Sequence, residues 1–212
     1  MTTTDTLITR LANEPPPPPF SPRRVALVIV LSIVVPVALF LMILGPRPGL
    51  IAAWSDPVVP FKTILPLAAS AMSLLLLLRL ARPGARAGAA AWFLAGPGAL
   101  ALALWVGAFA LRAPSERFAD VDAASLGECL GSILLLSFVP AVVILRIIRQ
   151  GASTWPLLSG ALAGLTAATG ATAGYSMFCT RDNPLFFASW YGAAILVTTI
   201  ICAALGQRVL RW

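Results

Sequence analysis

The amino-acid sequence predicts an all-α, polytopic membrane protein, a bundle of six transmembrane helices with both termini in the cytoplasm. Of its 212 residues, 59% are hydrophobic and 11% are charged, whereas soluble domains average about 45–50% apolar and about 25% charged residues. Six apolar segments each approach the roughly 20 residues that a helix needs to cross a bilayer. Arginine is concentrated in the segments that would lie together on one side of the membrane.

These segments divide the chain into three parts. We expect 1–24 to be a cytoplasmic N-terminal segment, 25–205 the transmembrane domain and 206–212 a cytoplasmic tail. The spans are predicted to be helices, because they are continuously apolar, whereas the strands of a membrane barrel alternate in polarity. They cover residues 25–44, 63–81, 89–111, 129–148, 156–178 and 185–205.

The N-terminal segment combines a short amphipathic stretch with a proline run. Thr4 or Asp5 is predicted to cap a short helix, and the run Pro15–Pro19 is predicted to form a semi-rigid polyproline II spacer. The apolar face of the helix consists of Leu7, Ile8 and Leu11. Two interpretations remain open, a disordered leader whose apolar face touches lipid and a helix that docks onto a cytosolic partner.

Proline and glycine distinguish the spans that follow. The first four each contain an internal proline, which is tolerated in a bundle where neighbouring helices satisfy the freed carbonyls; these are Pro36, Pro66, Pro97 and Pro140. The fifth span instead contains two small-xxx-small motifs, which allow another helix to approach closely. Their glycines are Gly160, Gly164, Gly170 and Gly174, and they predict that this span packs inside the bundle.

Charge predicts the orientation of the spans. With six spans, the side that holds both termini carries ten arginines against Asp5 and Glu14, whereas the other side carries five basic and six acidic residues. Cytoplasmic loops of membrane proteins are enriched in Lys and Arg, so both termini are predicted to be cytoplasmic. Since this charge is spread over loops and chain ends, it does not predict direct nucleic-acid binding.

Several chemistries are disfavoured by the residue content. The chain has no histidine, the most common metal ligand and proton shuttle. The spans carry no ionisable residue at mid-depth, whereas ion-coupled transporters normally do. No glycine-rich phosphate loop of the Walker or Rossmann type occurs. We therefore expect neither an enzyme nor a bound cofactor.

The three cysteines are the most informative local feature. Cys129 opens the fourth span and Cys179 follows the fifth, so both are predicted to lie at the outer face, beside an oxidising periplasm. Cys202 is about 25 Å down the sixth span and is expected to pack as a small hydrophobe. The outer pair leaves three alternatives open: a structural disulfide, a redox- or metal-responsive thiol pair, or a catalytic dithiol. A metal site would use both Cys129 and Cys179 as ligands.

The order of short motifs along the whole chain resembles the NrsF family of bacterial membrane anti-sigma factors (negative regulators of sigma F). The amino-terminal part contributes Asp5-Thr-Leu-Ile-Thr-Arg-Leu-Ala12, Leu44-Gly-Pro-Arg-Pro-Gly-Leu50, Pro60-Phe-Lys62 and Leu80-Ala-Arg-Pro-Gly84. The later part contributes Glu128-Cys-Leu-Gly-Ser132, Leu134-Leu-Leu-Ser137, Phe178-Cys179, Trp190-Tyr191 and Gly206-Gln-Arg-Val-Leu-Arg-Trp212.

This resemblance implies a function and a partner. It implies a multi-pass protein of the bacterial inner membrane that holds an ECF-type sigma factor inactive and releases it under heavy-metal or oxidative stress. The family's two stress-responsive cysteines correspond to Cys129 and Cys179. For contact with the sigma factor we expect Asp5, Leu7, Ile8 and Leu11 of the N-terminal helix, helped by arginines of the inner loops. The competing hypotheses are a small-solute transporter or permease subunit and a membrane thiol oxidoreductase.

Overall fold

A computed structural model describes residues 3–14, 21–82, 84–86, 88–118, 123–151 and 154–210. Within these ranges the chain forms eight helices and no strand, which confirms the prediction of an all-helical protein. The helices are α1 (Thr4–Asn13), α2 (Pro22–Leu44), α3 (Leu50–Ala53), α4 (Val58–Leu80), α5 (Ala90–Leu111), α6 (Ala123–Arg149), α7 (Pro156–Tyr175) and α8 (Pro184–Val209).

Five of these helices are long and apolar enough to cross a membrane, namely α2, α4, α5, α6 and α8. The fifth predicted span, 156–178, corresponds to α7, which has sufficient length but is rich in Gly, Ala and Thr, so its mean hydropathy is lower than that of these five helices. The helices run through their internal prolines Pro36, Pro66, Pro97 and Pro140 without interruption. The count of six spans and the cytoplasmic location of the termini stay predictions.

The low hydropathy of α7 is explained by its central position. It packs against α8, α4, α6 and α2, and 15 of its 20 residues are buried. Its side chains meet protein on nearly every side, so small residues that allow close approach replace the large apolar residues that a lipid-facing helix needs. In contrast, α5 lies at the edge, contacts chiefly α4 and α8, and has almost no buried residue.

The helix ends form two layers, one at each end of the bundle. At one end, which we call the cysteine end, the segment after α7 contacts the starts of α4 and α6 through Lys62 and Ser125. At the other, which we call the arginine end, Leu80, Ile148 and Leu210 share one buried cluster. The described arginines at that end are Arg23, Arg24, Arg79, Arg82, Arg86, Arg146, Arg149 and Arg208.

The N-terminal helix α1 has no buried residue. Thr3, not Thr4 or Asp5, occupies the N-cap position, and its side chain makes no capping hydrogen bond to the backbone. Leu7, Ile8 and Leu11 are 52–60% exposed. The predicted proline spacer, Pro15–Pro19, lies outside the described residues, as do the last two residues of the predicted tail.

Candidate functional site

The two outer cysteines line one cavity at the cysteine end. Cys129 lies in the second turn of α6, Cys179 lies in the segment between α7 and α8, and both are buried, with 1% and 6% of their surface exposed. Both are free thiols. The cavity has a volume of about 340 Å³, and its other polar or charged side chains are Arg47, Ser125, Glu128, Tyr175, Thr180 and Arg181.

Aromatic side chains surround the two thiols. Cys129 and Cys179 belong to one buried cluster with Tyr175, Tyr191 and Phe186. The rings of the two tyrosines pack edge to face, with their centroids 6.0 Å apart. The Tyr191 hydroxyl is buried and has no hydrogen-bond partner among the described residues. The two thiols therefore lie in a largely apolar, aromatic environment.

The segment that carries Cys179 is held by a buried lysine. Lys62, in the second turn of α4, is only 1% exposed. Its ammonium donates to the backbone carbonyls of Cys179 and Arg181, both at 2.8 Å, and to Oδ1 of Asp182 at 3.2 Å. An ammonium has three donors and no acceptor, so these three bonds satisfy it completely. This matters because an unpaired buried charge is strongly unfavourable.

A second cation holds the same segment from the loop after α2. Arg47 Nη1 lies 2.7 Å from Asp182 Oδ1 and 3.4 Å from the Cys179 carbonyl oxygen. The backbone N–H of Arg47 also donates to the Met177 carbonyl at 3.0 Å. Asp182 is thus shared between two basic side chains, and the Cys179 carbonyl accepts from both.

Charge pairing determines the ionisation of Asp182. Burial alone would raise the pKa of this carboxyl, but the hydrogen bond from Arg47 and the charge of Lys62 outweigh burial and lower the pKa below its ordinary value of 3.8. The hydrogen bond to Asp182 correspondingly raises the pKa of Arg47, against the opposing effect of burial. At neutral pH the site therefore contains a carboxylate between two cations.

We expect Asp182→Asn to destabilise the protein by about 2 kcal/mol at pH 7, because hydrogen bonds to a charged group are lost. A carboxyl whose pKa is lowered by folding contributes stability above its ordinary pKa, and this contribution is lost as the pH falls through the lower, folded-state value. The difference in the free energy of unfolding between the wild type and Asp182→Asn should therefore have its full size at about pH 5 and above. It should shrink below about pH 3.8. Unfolding of the detergent-solubilised protein at pH 7 and pH 3 measures it.

The control for this prediction is Asp56→Asn at the same end. Asp56 is exposed, and its Oδ1 accepts from the Val58 N–H, a bond that an asparagine oxygen also makes. A stability loss in Asp182→Asn that is equal at pH 7 and pH 3, or no larger than that in Asp56→Asn, would contradict the assigned role of the carboxylate.

Three further hydrogen bonds tie this segment to its surroundings. Arg181 Nη2 donates to Ser125 Oγ on α6 at 2.9 Å. Asn183 donates to the Arg117 carbonyl, and its Oδ1 caps α8 by accepting from the Leu185 N–H at 3.1 Å. The segment 176–183 therefore contacts the starts of α4, α6 and α8 as well as the loops after α2 and α5.

The chemistry available at the cavity is that of its two sulfurs. Two thiols can be oxidised to a disulfide, and as thiolates they can bind a soft metal ion. Among the described residues, no group of three or more His, Cys, Asp or Glu lies together. A soft metal ion would thus take two sulfur ligands here and complete its coordination with other groups.

The other predicted residues lie elsewhere. Cys202 is buried on α8, where its Cβ and carbonyl oxygen face Gly164 and Gly160 of α7. Gly170 faces Ile33 of α2 and Ser70 of α4, and Gly174 faces Val37 of α2. The contacts of all four glycines are made within one chain. Asp5, Leu7, Ile8 and Leu11 lie on the exposed helix α1.

Sequence reasoning missed the residues that hold the Cys179 segment. In the sequence, Lys62, Arg47 and Asp182 count among the outer-side charges, and Lys62 and Arg47 also stand in the family motifs, but none of them is assigned a role beside the cysteines. One signal was available, since Lys62 is the only charged residue in the first 21 residues of α4 and a lysine within such a stretch needs partners. The two tyrosines of the chain, Tyr175 and Tyr191, gave no comparable signal.

Comparison with known proteins relates the whole chain to one family. The family model described as NrsF, negative regulator of sigma F, matches residues 11–212. A probable anti-sigma-F factor NrsF from Azospira oryzae is 33% identical over 146 residues, covering 68% of this chain and 67% of that protein. The anti-sigma-F factor NrsF from Caulobacter vibrioides is 32% identical over 224 aligned positions, covering 99% of both chains.

No solved structure matches the chain significantly. The family match covers every helix from α2 to α8, both cysteines of the cavity, and Asp182 with the two basic side chains that bind it. The resemblance seen in the sequence is confirmed, and the chain belongs to the NrsF family, the negative regulators of sigma F.

Proposed function

We propose that this protein is a multi-pass anti-sigma factor of the bacterial inner membrane that sequesters an ECF-type sigma factor and releases it when Cys129 and Cys179 react. The signals would be heavy metals or oxidants. One observation carries the proposal: two thiols from separate parts of the chain line one cavity, at the end of the bundle opposite the arginine end. The role is regulatory, in keeping with the anti-sigma activity named for its relatives.

The charge distribution supports the proposed orientation. The arginine end carries eight described arginines, and no described acidic residue lies among the helix ends and loops there. Under the positive-inside rule this end is cytoplasmic. The cysteine end then faces the periplasm, where thiols can be oxidised because this compartment, unlike the cytoplasm, does not keep them reduced. With α7 counted as a span beside the other five, the chain crosses the membrane six times and both termini lie on the cytoplasmic side.

The helix α1 is our candidate for the sigma-binding element. Leu7, Ile8 and Leu11 form an apolar face that is more than half exposed, and an isolated ten-residue helix gains little stability by itself. Amphipathic helices of this kind bind by placing their apolar face in a groove of a partner. The arginines of the inner loops would add charge attraction to an acidic surface.

The proposed switch has two states that differ in the chemistry of the cavity. An oxidant that accepts two electrons would join the two sulfurs as a disulfide, with loss of both thiol protons. A soft metal ion would bind the two thiolates, again with loss of both protons. Either product draws Cys179 and Cys129 into a new spacing. A coupling of 1–3 kcal/mol is typical between distant sites, and about 1.4 kcal/mol weakens binding tenfold.

We expect the double variant Cys129→Ser/Cys179→Ser to retain the sigma factor but to lose at least tenfold of the induced transcription, because serine neither forms a disulfide nor binds soft metals well. Sigma-dependent transcription before and after cadmium or diamide measures it. Diamide tests the disulfide and cadmium tests metal capture.

Cys202→Ser is the matched control, since it removes a buried thiol on α8 outside the cavity. It should leave the response to both compounds unchanged. A double variant that still responds as the wild type does would show that the signal is sensed elsewhere.

A further inference from the structure

The helix α4 carries no cysteine but is connected to the cavity more directly than its sequence suggests. Its buried Lys62 binds the backbone carbonyl of Cys179 itself, the carbonyl of Arg181 and the carboxylate of Asp182. Two of these three acceptors belong to the main chain, so the ammonium fixes the path of the backbone rather than one side-chain rotamer. A displacement of Cys179 towards Cys129 must therefore change the geometry around Lys62.

The same helix is joined to α7 by a line of buried hydroxyl groups. Thr63 Oγ1 and Ser176 Oγ are 2.7 Å apart, next to Lys62. Further along α4, Ser70 donates to the Thr166 carbonyl at 3.0 Å, and Thr166 donates to Ser73 Oγ at 2.9 Å. We call this set the α4–α7 hydroxyl contact. Hydrogen bonds between side chains orient packed helices in lipid, where the hydrophobic effect does not hold them together.

The arginine end of α4 completes the connection. Leu76, Leu77 and Leu80 lie in the buried cluster that also contains Ile148 of α6 and Leu210 after α8. Arg79 and Arg82 follow at the same end. Packed interiors shift between discrete arrangements rather than deform continuously, so a displacement of α4 at Lys62 changes the surface at its other end.

From these contacts we infer that α4 transmits the signal, and that Lys62 is a positioning residue that holds the Cys179 segment in the state that retains the sigma factor. This inference deepens the proposed function and rests on it. The cysteine-bearing helix α6 also bonds to this segment, through Ser125, but its buried Ser137 bonds only to the Ile133 carbonyl of its own helix among the contacts that the structure describes.

The test uses the full-length protein in bacterial membranes together with its sigma factor. Lys62→Met keeps a long unbranched side chain but removes all three hydrogen bonds. Without an inducer, we expect sigma-dependent transcription to rise at least tenfold, with little further rise on addition of diamide. Because Lys62 acts after the thiols, the rise should persist in the triple variant Lys62→Met/Cys129→Ser/Cys179→Ser.

A milder variant tests the other end of the connection. Ser73→Ala removes the one acceptor of the Thr166 hydroxyl that lies on α4, about two-thirds of the way along this helix, and leaves the Leu162 carbonyl as its acceptor within α7. Hydrogen bonds between membrane helices contribute about 0.6 kcal/mol on average, so uninduced transcription should rise about threefold. This threefold rise tests the role of α4 even if the Lys62→Met protein does not accumulate in the membrane.

Two control variants match these changes. Arg112→Met removes one positive charge at the cysteine end, and Ser137→Ala removes a buried hydroxyl from α6. Both should behave as the wild type does. Membrane levels of every variant are measured alongside transcription, so that loss of protein is separated from loss of retention.

Three results would overturn the inference. Wild-type behaviour of accumulating Lys62→Met, or of Ser73→Ala, would show that α4 does not transmit the signal. A rise that disappears in the triple variant would place Lys62 before the thiols, as a residue that only tunes their reactivity. Failure of the proposed function is a separate result, namely a normal response of Cys129→Ser/Cys179→Ser to both diamide and cadmium.

Discussion

Replacing Gly164 by alanine is expected to destabilise the protein by about 3 kcal/mol, at the upper end of the usual range for overpacking. A Cβ at this position would lie 2.7 Å from Cys202 Cβ, 2.8 Å from the Thr198 carbonyl oxygen and 2.9 Å from Thr199 Cα. Two of these atoms belong to the backbone of α8 and cannot rotate away. The two helices would have to separate, and the α7–α8 contact is the most extensive in the fold.

Thermal or denaturant unfolding of the purified protein in detergent measures this loss. The control is Gly192→Ala on α8, where an added Cβ meets no atom within 4 Å and a glycine in a helix is replaced by the best helix former. It should leave stability unchanged or raise it slightly. Equal stability of Gly164→Ala and Gly192→Ala would mean that α7 and α8 do not approach each other as closely as described.

The second large effect is expected in α1. Changing both Leu7 and Leu11 to aspartate should weaken retention of the sigma factor at least a hundredfold, because truncating one anchoring residue of an interface costs about 2 kcal/mol or more. The variant should leave the membrane helices intact, since no residue of α1 is buried. Co-purification of the sigma factor with the full-length protein measures retention.

The matched control places the same two charges on the opposite face of α1. Thr9→Asp and Asn13→Asp have the same i, i+4 spacing as Leu7 and Leu11 but lie away from the apolar face. That pair should retain the sigma factor. Normal retention by the Leu7→Asp/Leu11→Asp variant and by a protein lacking residues 1–14 would move the docking site to the loops of the arginine end.

The positions of the long helices could be predicted well from the sequence. The first predicted span, 25–44, ends with α2 at Leu44, and the third, 89–111, ends with α5 at Leu111. Continuous apolar sequence is a strong signal because lipid requires it over a fixed thickness. The helix α6 begins six residues before its predicted span, since Ala123–Glu128 is polar enough to resemble a loop but is helical.

The charged contacts of the cysteine end could not be predicted in the same way. Lys62 and Cys179 are 117 positions apart, and the bond between them depends on the packing of α4 against α7. Hydropathy gives the span of a helix but does not say which neighbour it faces. The four-residue helix α3 was also missed, because it follows a glycine with positive φ, Gly49, in a segment without periodicity.

The position of α5 at the edge has a consequence for biogenesis. Its two main neighbours are α4, which precedes it directly, and α8, which begins at Pro184, long after α5 ends at Leu111. During synthesis, the flank of α5 that packs against α8 therefore stays uncovered until the last helix has been made. We expect the docking of α8 onto α5 to be a late step in the assembly of the bundle.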